Sequence, residues 1–226
     1  MKKQRLLSFL PAAVLFLIFG IYTLLVATVG VQAVGPEGST VGFASLNAAF
    51  RDLVGVNWEF YEITDLLGLV PLGLLVLFAA QGLVQLVHRK SLLKVDLDLL
   101  VLGGYYLLVF LFYAFFEVVE INARPVLIEG VLETSYPSST TMLAMATLPA
   151  VGMHLARGLA GRTARTVLMV DAWLLTAIMV GLRVLSGVHW LTDILGGAIL
   201  SLALLALYRA ALTMVAAYRK KNKGAQ

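Results

Sequence analysis

Three residues whose side chains can do chemistry lie close together in an apolar stretch near the end of the chain. The stretch reads GLRVLSGVHWLTDILGG and contains Arg183, His189 and Asp193. A guanidinium, an imidazole and a carboxylate are each costly among hydrocarbon, so their grouping indicates either mutual pairing or a function. A histidine held by a carboxylate can act as a nucleophile or a base, and an arginine binds anionic oxygens. The residue types therefore predict chemistry on a phosphate or a similar anion.

The spacing of these residues suits a common site. His189 and Asp193 are four residues apart, so they share one face if a helix starts there. The carboxylate can then hold one ring nitrogen while the other stays free. Arg183 precedes His189 by six residues, across the Ser186-Gly187 turn, and can reach the same anion from the opposite side.

Two further polar patches end or begin apolar runs earlier in the chain. EVVEINARP contains Arg124, and TSYPSSTT contains Ser138 and Ser139 at the predicted start of a helix. A helix N-terminus presents free backbone N–H groups, which attract anions. If the chain topology brings the three patches to one membrane depth, two arginines and several hydroxyls surround the histidine.

The composition of the chain is that of an integral membrane protein. Of its 226 residues, 60% are hydrophobic and 13% are charged, and the mean hydropathy is +0.92, far outside the range of soluble domains. The formal net charge of +4 does not indicate a nucleic-acid partner, because the basic residues are dispersed and concentrate only beside apolar runs. The absence of cysteine excludes disulfides, thiolate metal sites and cysteine nucleophiles.

Six apolar runs are long enough to cross a bilayer, which takes about 20 helical residues. We therefore predict an all-α fold, a bundle of six transmembrane helices that forms a single domain over residues 1–226. The predicted spans are residues 6–31, 66–87, 97–121, 139–155, 166–185 and 190–217.

The basic residues predict the orientation of these spans. With six spans, Lys2, Lys3, Arg5 and the basic residues of two later loops and of the tail fall on one side, which should be cytoplasmic. Both termini are then cytoplasmic, and the three polar patches face outward. The pattern suits a bacterial plasma membrane.

The first outer loop has an amphipathic helix signature. Phe43, Leu46, Phe50 and Val54 follow one another at spacings of three or four residues. We expect this helix to lie on the outer membrane surface, as a lid or as a wall for lipid access. The alternative is a partly ordered loop.

The three patches together resemble the motifs of the type 2 phosphatidic acid phosphatase (PAP2) superfamily. That family carries K-x6-R-P, P-S-G-H and S-R-x5-H-x3-D, in this order, on the outward ends of a six-helix bundle. Here the third motif is present as R-x5-H-x3-D, the first retains Arg124-Pro125, and the second retains Pro137-Ser138. The resemblance covers about residues 97–205, and the third motif is the specific one.

The resemblance implies a role for each matching residue. His189 would be the nucleophile that forms a phosphohistidine, and Asp193 would orient it. The phosphoryl oxygens would be bound by Arg124, Ser138, Ser139 and Arg183. No metal ion and no cofactor are implied, since two guanidiniums, hydroxyls and helix N–H groups can offset the phosphoryl charge.

Two positions depart from the family pattern. Glu117 replaces the first-motif lysine, and Thr140 replaces the second-motif histidine, which in the family protonates the leaving oxygen. A lost general acid costs about 10²–10⁴-fold in rate. Three explanations stay open: a diphosphate substrate with a good leaving group, Glu117 or Glu120 acting as the acid, or a relative that binds or moves phospholipids without hydrolysis.

The predicted function is that of a membrane lipid phosphatase. Its substrate would be the phosphate or pyrophosphate of an isoprenoid or a glycerolipid, such as undecaprenyl pyrophosphate. Hydrolysis would take place on the outward-facing side of the membrane. A lipid-phosphate binding or transport protein is the alternative, and a phosphotransferase would share the phosphohistidine. The expected partner is the membrane lipid substrate, and the oligomeric state stays open, a homodimer included.

Overall fold

Seven α-helices form the framework of the protein in the computed structural model, which describes residues 6–223. They are α1 (Leu10–Thr28), α2 (Ala44–Val54), α3 (Trp58–Arg89), α4 (Leu97–Val118), α5 (Ser139–Ala156), α6 (Arg162–Ser186) and α7 (Leu191–Lys223). No strand is assigned within the described residues. The all-α character predicted from the sequence is therefore confirmed. The predicted inner-side residues Lys2, Lys3 and Arg5 lie outside the described part of the chain.

Five of the helices are long and apolar enough to cross a membrane: α1, α3, α4, α6 and α7. Large apolar side chains on their outer faces are more than half exposed, among them Leu17, Leu77, Leu107 and Leu174. Extended apolar surfaces of this kind mark contact with lipid rather than with water. The described helices therefore support the prediction that the protein lies in a membrane.

The fourth predicted span, residues 139–155, forms a helix that differs from the other five. α5 is less apolar, because it contains Ser, Thr, Pro, Gly and His, and it is not one of the five candidate spans. It packs against α3, α4, α6 and α7, and ten of its eighteen residues are buried. Protein side chains rather than lipid surround α5, so it does not need a uniformly apolar surface. The six predicted spans thus correspond to five candidate spans and one interior helix.

The loop between α1 and α3 contains α2, which overlaps the stretch predicted to be amphipathic. The buried residues of α2 are Ala44 and Asn47, whereas Leu46 is 50% exposed and Leu53 is 82% exposed. The face that contacts the protein therefore carries a polar side chain, and apolar side chains lie on the exposed face. Its location on the membrane surface and its role as a lid stay predictions.

The turn between α6 and α7 lies against the start of α3. Gly187 ends α6 with a φ of +65°, and a Cβ at this position would lie 1.8 Å from the Gly55 carbonyl oxygen. The Asn57 backbone N–H also donates to the Ser186 carbonyl oxygen at 3.0 Å. Glycine alone permits both the left-handed backbone and this close approach. The turn therefore fixes the residues that precede α7 relative to α3.

The segment between α4 and α5 is irregular but folds back on itself as a hairpin. Backbone hydrogen bonds join Arg124 N to the Glu133 carbonyl oxygen and Ser135 N to the Asn122 carbonyl oxygen, each at 2.9 Å. At its tip, residues 129–130 have φ angles of 50° and 82°, as in tight hairpin turns. The hairpin brings Asn122 and Arg124 alongside Glu133 and Ser135.

Two glycines of α7 allow the segment before α5 to approach this helix closely. A Cβ on Gly196 would lie 2.6 Å from the Tyr136 ring, and a Cβ on Gly197 would lie 2.9 Å from the Ser138 carbonyl oxygen. The pair allows close packing against the segment that precedes α5 and against Thr141 in the first turn of α5. The start of α5 is thereby held beside the start of α7.

We expect Gly187→Ala to lower the free energy of unfolding by at least about 2 kcal/mol, because the new Cβ is strained at positive φ and overlaps the Gly55 carbonyl oxygen. Gly73→Ala is the matched control, since a Cβ at Gly73 in α3 meets no atom within 4 Å. Thermal unfolding in detergent, followed by tryptophan fluorescence, checks both variants. Equal unfolding temperatures for Gly187→Ala and the parent would show that the close approach is not a constraint.

Candidate active site

His189 lies in the short segment between α6 and α7 and is 3% exposed. Its Nδ1 is 2.9 Å from the Ser135 Oγ, and its Nε2 is 3.3 Å from the Arg124 Nη1. Both direct partners of the imidazole therefore come from the hairpin between α4 and α5. The first and third sequence patches meet at this histidine.

Asp193 is fully buried in the first turn of α7 and accepts three hydrogen bonds. The Ser135 Oγ donates to Oδ2 at 2.5 Å, the Trp190 backbone N donates to Oδ2 at 3.0 Å, and the Asn122 Nδ2 donates to Oδ1 at 2.9 Å. A buried carboxylate requires such donors, because an unpaired charge is strongly disfavoured away from water. Every donor to Asp193 lies in the hairpin or directly before α7.

The direct contact between Asp193 and His189, expected from their spacing, is not formed. The Asp193 Oδ2 is 4.0 Å from the His189 Nδ1, which is beyond hydrogen-bond distance. The reason is that α7 begins at Leu191, so His189 precedes the helix instead of lying on its face. The Ser135 hydroxyl fills the gap between the two side chains.

Two buried asparagines hold the start of α7 and the hairpin against the loop between α1 and α3. The Asn47 Nδ2 donates to the Thr192 Oγ1 at 2.9 Å, and the Thr192 backbone N donates to the Asn47 Oδ1 at 3.3 Å. The Asn122 Oδ1 accepts from the Gly42 backbone N at 3.1 Å. The helix α2 is thus connected to the site through polar contacts.

A cavity of about 410 Å³ lies beside His189, between the end of α4, the hairpin and the start of α5. This volume is within the usual range of ligand pockets. The polar part of its wall includes Glu117, Arg124, Glu133, Ser135, Ser139 and His189. Three aromatic side chains of α4 also line the cavity, namely Phe112, Tyr113 and Phe116. The cavity therefore combines a polar end with an aromatic wall.

Arg124 is shared between the imidazole and a carboxylate. Its Nε is 2.9 Å from the Glu133 Oε2, while its Nη1 faces His189. Both Arg124 and Glu133 line the cavity. An anion that binds there has to compete with Glu133 for the guanidinium.

Arg183 is buried beside α3 and does not line the cavity. Its Nη1 donates to the Thr64 Oγ1 and to the Asp65 Oδ1, each at 3.0 Å. Its guanidinium carbon lies 4.9 Å from the centre of the Tyr61 ring. Arg183 therefore pairs with residues of α3, which the sequence motifs do not include.

The remaining predicted residues differ in their relation to the cavity. Ser138 is buried and caps α5, with its Oγ accepting from the Thr141 backbone N at 3.4 Å. Ser139 and Glu117 line the cavity, whereas Glu120 and Thr140 do not. Of the accessory acid candidates, only Glu117 is thus on the cavity wall.

Three residues of this site are not predicted from the sequence, namely Asn122, Glu133 and Ser135. Each lies close to a motif residue, but none stands at a specified position of a motif, since Asn122 is one of the six variable residues of K-x6-R-P. The sequence signal that could have found them is the Glu-Gly pair at 129–130, which favours a tight turn between two extended segments. A hairpin centred on that turn places 133–135 beside 122–124.

The pKa of His189 lies well below its usual value, because burial disfavours the imidazolium and because Arg124 and Arg183 place positive charge nearby. A hydrogen bond with the Ser135 backbone raises the pKa of His189, but this is the smaller effect. The imidazole is therefore neutral near pH 7. A neutral ring has a lone pair on one nitrogen, as a nucleophile requires.

The fold and the motif-bearing part of the site agree with a known family of membrane proteins. Residues 114–216 match the family model of the PAP2 superfamily. This segment runs from the second half of α4 into α7 and contains His189, Asp193, Arg124 and Arg183. The match confirms the resemblance to the PAP2 superfamily that the motifs of this segment show.

A solved structure has a similar fold over most of both chains. It is described as the first transmembrane PAP2 type phosphatidylglycerolphosphate phosphatase from Bacillus subtilis. The TM-score is 0.57 at 24% sequence identity, and the alignment covers 88% of this chain and 94% of that chain. A comparison with curated protein sequences found no significant match.

We expect His189 to protonate only at a pH well below 6.5, and Arg124→Gln to raise its pKa by removing a neighbouring positive charge. An unfolded histidine takes up its proton at about pH 6.5. Between that pH and the lower folded pKa, the unfolded state binds more protons, so the free energy of unfolding falls as the pH is lowered through this window.

Histidine ¹⁵N NMR on protein in nanodiscs measures this titration, with His88→Ala and His154→Ala assigning the other two resonances. A His189 resonance that titrates at its ordinary pKa in the parent would contradict the buried, arginine-flanked setting. An unchanged titration in Arg124→Gln would contradict the contribution of that charge.

Proposed function

We propose that the protein is a phosphatase of membrane lipid phosphates or pyrophosphates, with His189 as the nucleophile. One observation carries this proposal: a neutral, buried imidazole on a cavity wall, flanked by a guanidinium and backed by a hydroxyl and a carboxylate. A nucleophile with an orienting group and a neighbouring cation is the arrangement that phosphoryl transfer through a covalent intermediate needs. The PAP2 match supports the same class of reaction.

The reaction has two steps. The His189 Nε2 lone pair attacks phosphorus, a P–N bond forms, and the P–O bond to the lipid breaks with its electron pair going to the lipid oxygen. An alkoxide oxygen takes its proton from Glu117, whereas a phosphate leaving group needs none. A water molecule then attacks phosphorus, and the P–N bond breaks with its electron pair returning to the His189 Nε2. The two water protons leave with the phosphate, or one of them restores the proton that Glu117 has given up.

Charge on the phosphoryl group would be stabilised at the polar end of the cavity. Arg124 lies against the nucleophile and can turn its N–H groups from Glu133 to phosphoryl oxygens. Ser139 and the backbone N–H groups at the start of α5 offer further donors beside the cavity. Arg183 adds positive charge near His189 without lining the cavity, and Ser138 would act by capping α5.

The lipid part of the substrate would leave the cavity along the aromatic wall of α4 and extend sideways between helices.

The opposite end of the bundle carries basic side chains, among them Arg89, Arg157, Arg165 and Arg219. By the positive-inside rule, that end is the cytoplasmic one. We therefore propose a plasma membrane location with the site facing outward. The substrate would come from the outer leaflet.

Glu117 is the acid that we propose for poor leaving groups. It lines the cavity, whereas Thr140 does not. An alkoxide from a phosphomonoester needs a proton as it leaves, but the phosphate released from a pyrophosphate is far less basic. The need for Glu117 should therefore depend on the substrate.

A lipid-phosphate binding or transport protein is the second candidate, and one observation favours it. The cavity wall contains a single histidine, His189, so no second imidazole is available as a general acid within the described residues. Such a protein would bind the same lipid phosphates without releasing phosphate.

We expect His189→Ala to reduce phosphate release to background, a loss of about 10³-fold or more. His88→Ala, an exposed histidine at the opposite end of the bundle, is the matched control and should retain parental activity. Purified protein is assayed with polyprenyl pyrophosphate, polyprenyl phosphate, phosphatidic acid and phosphatidylglycerolphosphate. No release from any of them by a parent that still binds lipid would favour the binding or transport protein.

We expect Glu117→Gln to slow hydrolysis of phosphomonoesters by about 10²-fold and to change pyrophosphate hydrolysis little. Glu120→Gln is the matched control, because Glu120 follows Glu117 by only three residues but does not line the cavity. The measurement is kcat for one monoester and one pyrophosphate of the same lipid chain. An equal loss on both substrates would rule out a role in leaving-group protonation.

A further inference from the structure

The contact between the nucleophile and its carboxylate passes through one hydroxyl. The Ser135 Oγ is 2.9 Å from the His189 Nδ1 and 2.5 Å from the Asp193 Oδ2, while the His189 Nδ1 and the Asp193 Oδ2 are 4.0 Å apart. Both short distances are those of hydrogen bonds, and the long one is not. Asp193 therefore has no direct hydrogen bond with the imidazole that it would orient.

The direction of these hydrogen bonds follows from the groups at either end. A guanidinium has only N–H donors, so the His189 Nε2, which faces the Arg124 Nη1 at 3.3 Å, is the acceptor. The proton of the neutral ring is then on Nδ1. That N–H donates to the Ser135 Oγ, and the Ser135 O–H in turn donates to Asp193.

The Asp193 end of the chain gives the same direction independently. Its other hydrogen bonds come from Asn122 and from the Trp190 backbone N, both donors. A carboxylate only accepts hydrogen bonds, so Ser135 uses its single proton toward Asp193. Its oxygen can then only accept from His189, which requires a proton on Nδ1.

The position of Ser135 is itself fixed by the hairpin. Its side chain is buried, and its backbone N donates to the Asn122 carbonyl oxygen at 2.9 Å. Asn122 also donates to the Asp193 Oδ1. The hairpin and Asp193 therefore hold the hydroxyl from both sides.

We propose that Ser135 is the positioning residue of the nucleophile, which keeps the proton on Nδ1 and leaves the Nε2 lone pair for phosphorus. This inference rests on the proposed function for its catalytic consequence, but the proton position holds for the protein at rest. When the P–N bond forms at Nε2 and the P–O bond breaks, the ring becomes cationic and keeps its Nδ1 proton. The Ser135 hydroxyl then links that charge to the Asp193 carboxylate.

The test compares Ser135→Ala, which removes the hydroxyl, with Ser135→Thr, which keeps it. Ser45→Ala, an exposed serine of α2, is the matched control. The first readout is the ¹⁵N NMR tautomer of His189 near pH 7, which needs no substrate. We expect Nδ1–H in the parent, in Ser135→Thr and in Ser45→Ala, and a mixture with Nε2–H in Ser135→Ala.

The second readout is hydrolysis by the same variants. We expect kcat to fall about 10–100-fold in Ser135→Ala with KM nearly unchanged, and Ser135→Thr to recover most of the loss. Packing alone would not explain this result, because threonine is larger than either serine or alanine.

The outcomes separate the inference from the proposed function. An Nε2–H tautomer in the parent, or a parental kcat in Ser135→Ala, would overturn the role of Ser135 while leaving a phosphatase intact. If the parent releases no phosphate from any substrate, the proposed function fails, and the NMR readout alone then decides the proton position. If Ser135→Ala does not fold, the parental tautomer and the activity of Ser135→Thr still decide the inference.

Discussion

The buried carboxylate of Asp193 is the constraint on which the rest of the site depends. A carboxylate away from water is tolerated only when donors surround it, and here the donors come from Ser135, Asn122 and the Trp190 backbone. Because two of them belong to the hairpin, satisfying Asp193 fixes the hairpin against α7. The positions of Arg124 and Glu133 follow, since both lie on the same hairpin. Asn122 extends the arrangement to the loop between α1 and α3, because it accepts a hydrogen bond from the Gly42 backbone N.

The two arginines near His189 are both buried guanidiniums that pair with a more exposed carboxylate. Each is paired with one carboxylate, Arg124 with Glu133 and Arg183 with Asp65. The guanidiniums are largely buried, whereas the carboxylate side chains are 43% and 46% exposed. A buried cation needs a partner more than an exposed anion does. Only the Arg124–Glu133 pair lines the cavity, so of the two carboxylates only Glu133 could give way to an anion that binds there, whereas the Arg183–Asp65 pair holds α6 against α3.

The fold class and the location of the candidate site could be predicted because both have strong sequence signals. Long apolar runs mark the helices, and the R-x5-H-x3-D spacing marks His189 and Asp193. The indirect link through Ser135 could not be predicted, because it depends on α7 beginning two residues after the histidine. Likewise, the partners of Arg183 lie on α3, far away in the sequence, and contacts of this kind depend on the packing of helices. The buried Asn47 of α2 could not be predicted either, because its partner Thr192 lies 145 residues away in the sequence.

The interior position of α5 has a consequence for how the chain enters a bilayer. A helix that carries Ser, Thr, Pro, Gly and His partitions into lipid less readily than its apolar neighbours do, so α5 is a poor candidate for insertion by itself. Only residues 157–161 separate it from α6, and the two helices pack against each other. During synthesis, α5 would therefore stay in the translocation channel until α6 has left the ribosome, and the two helices would insert into the membrane together. Insertion of α5, the helix that begins at the candidate site, would therefore depend on the helix that follows it, α6.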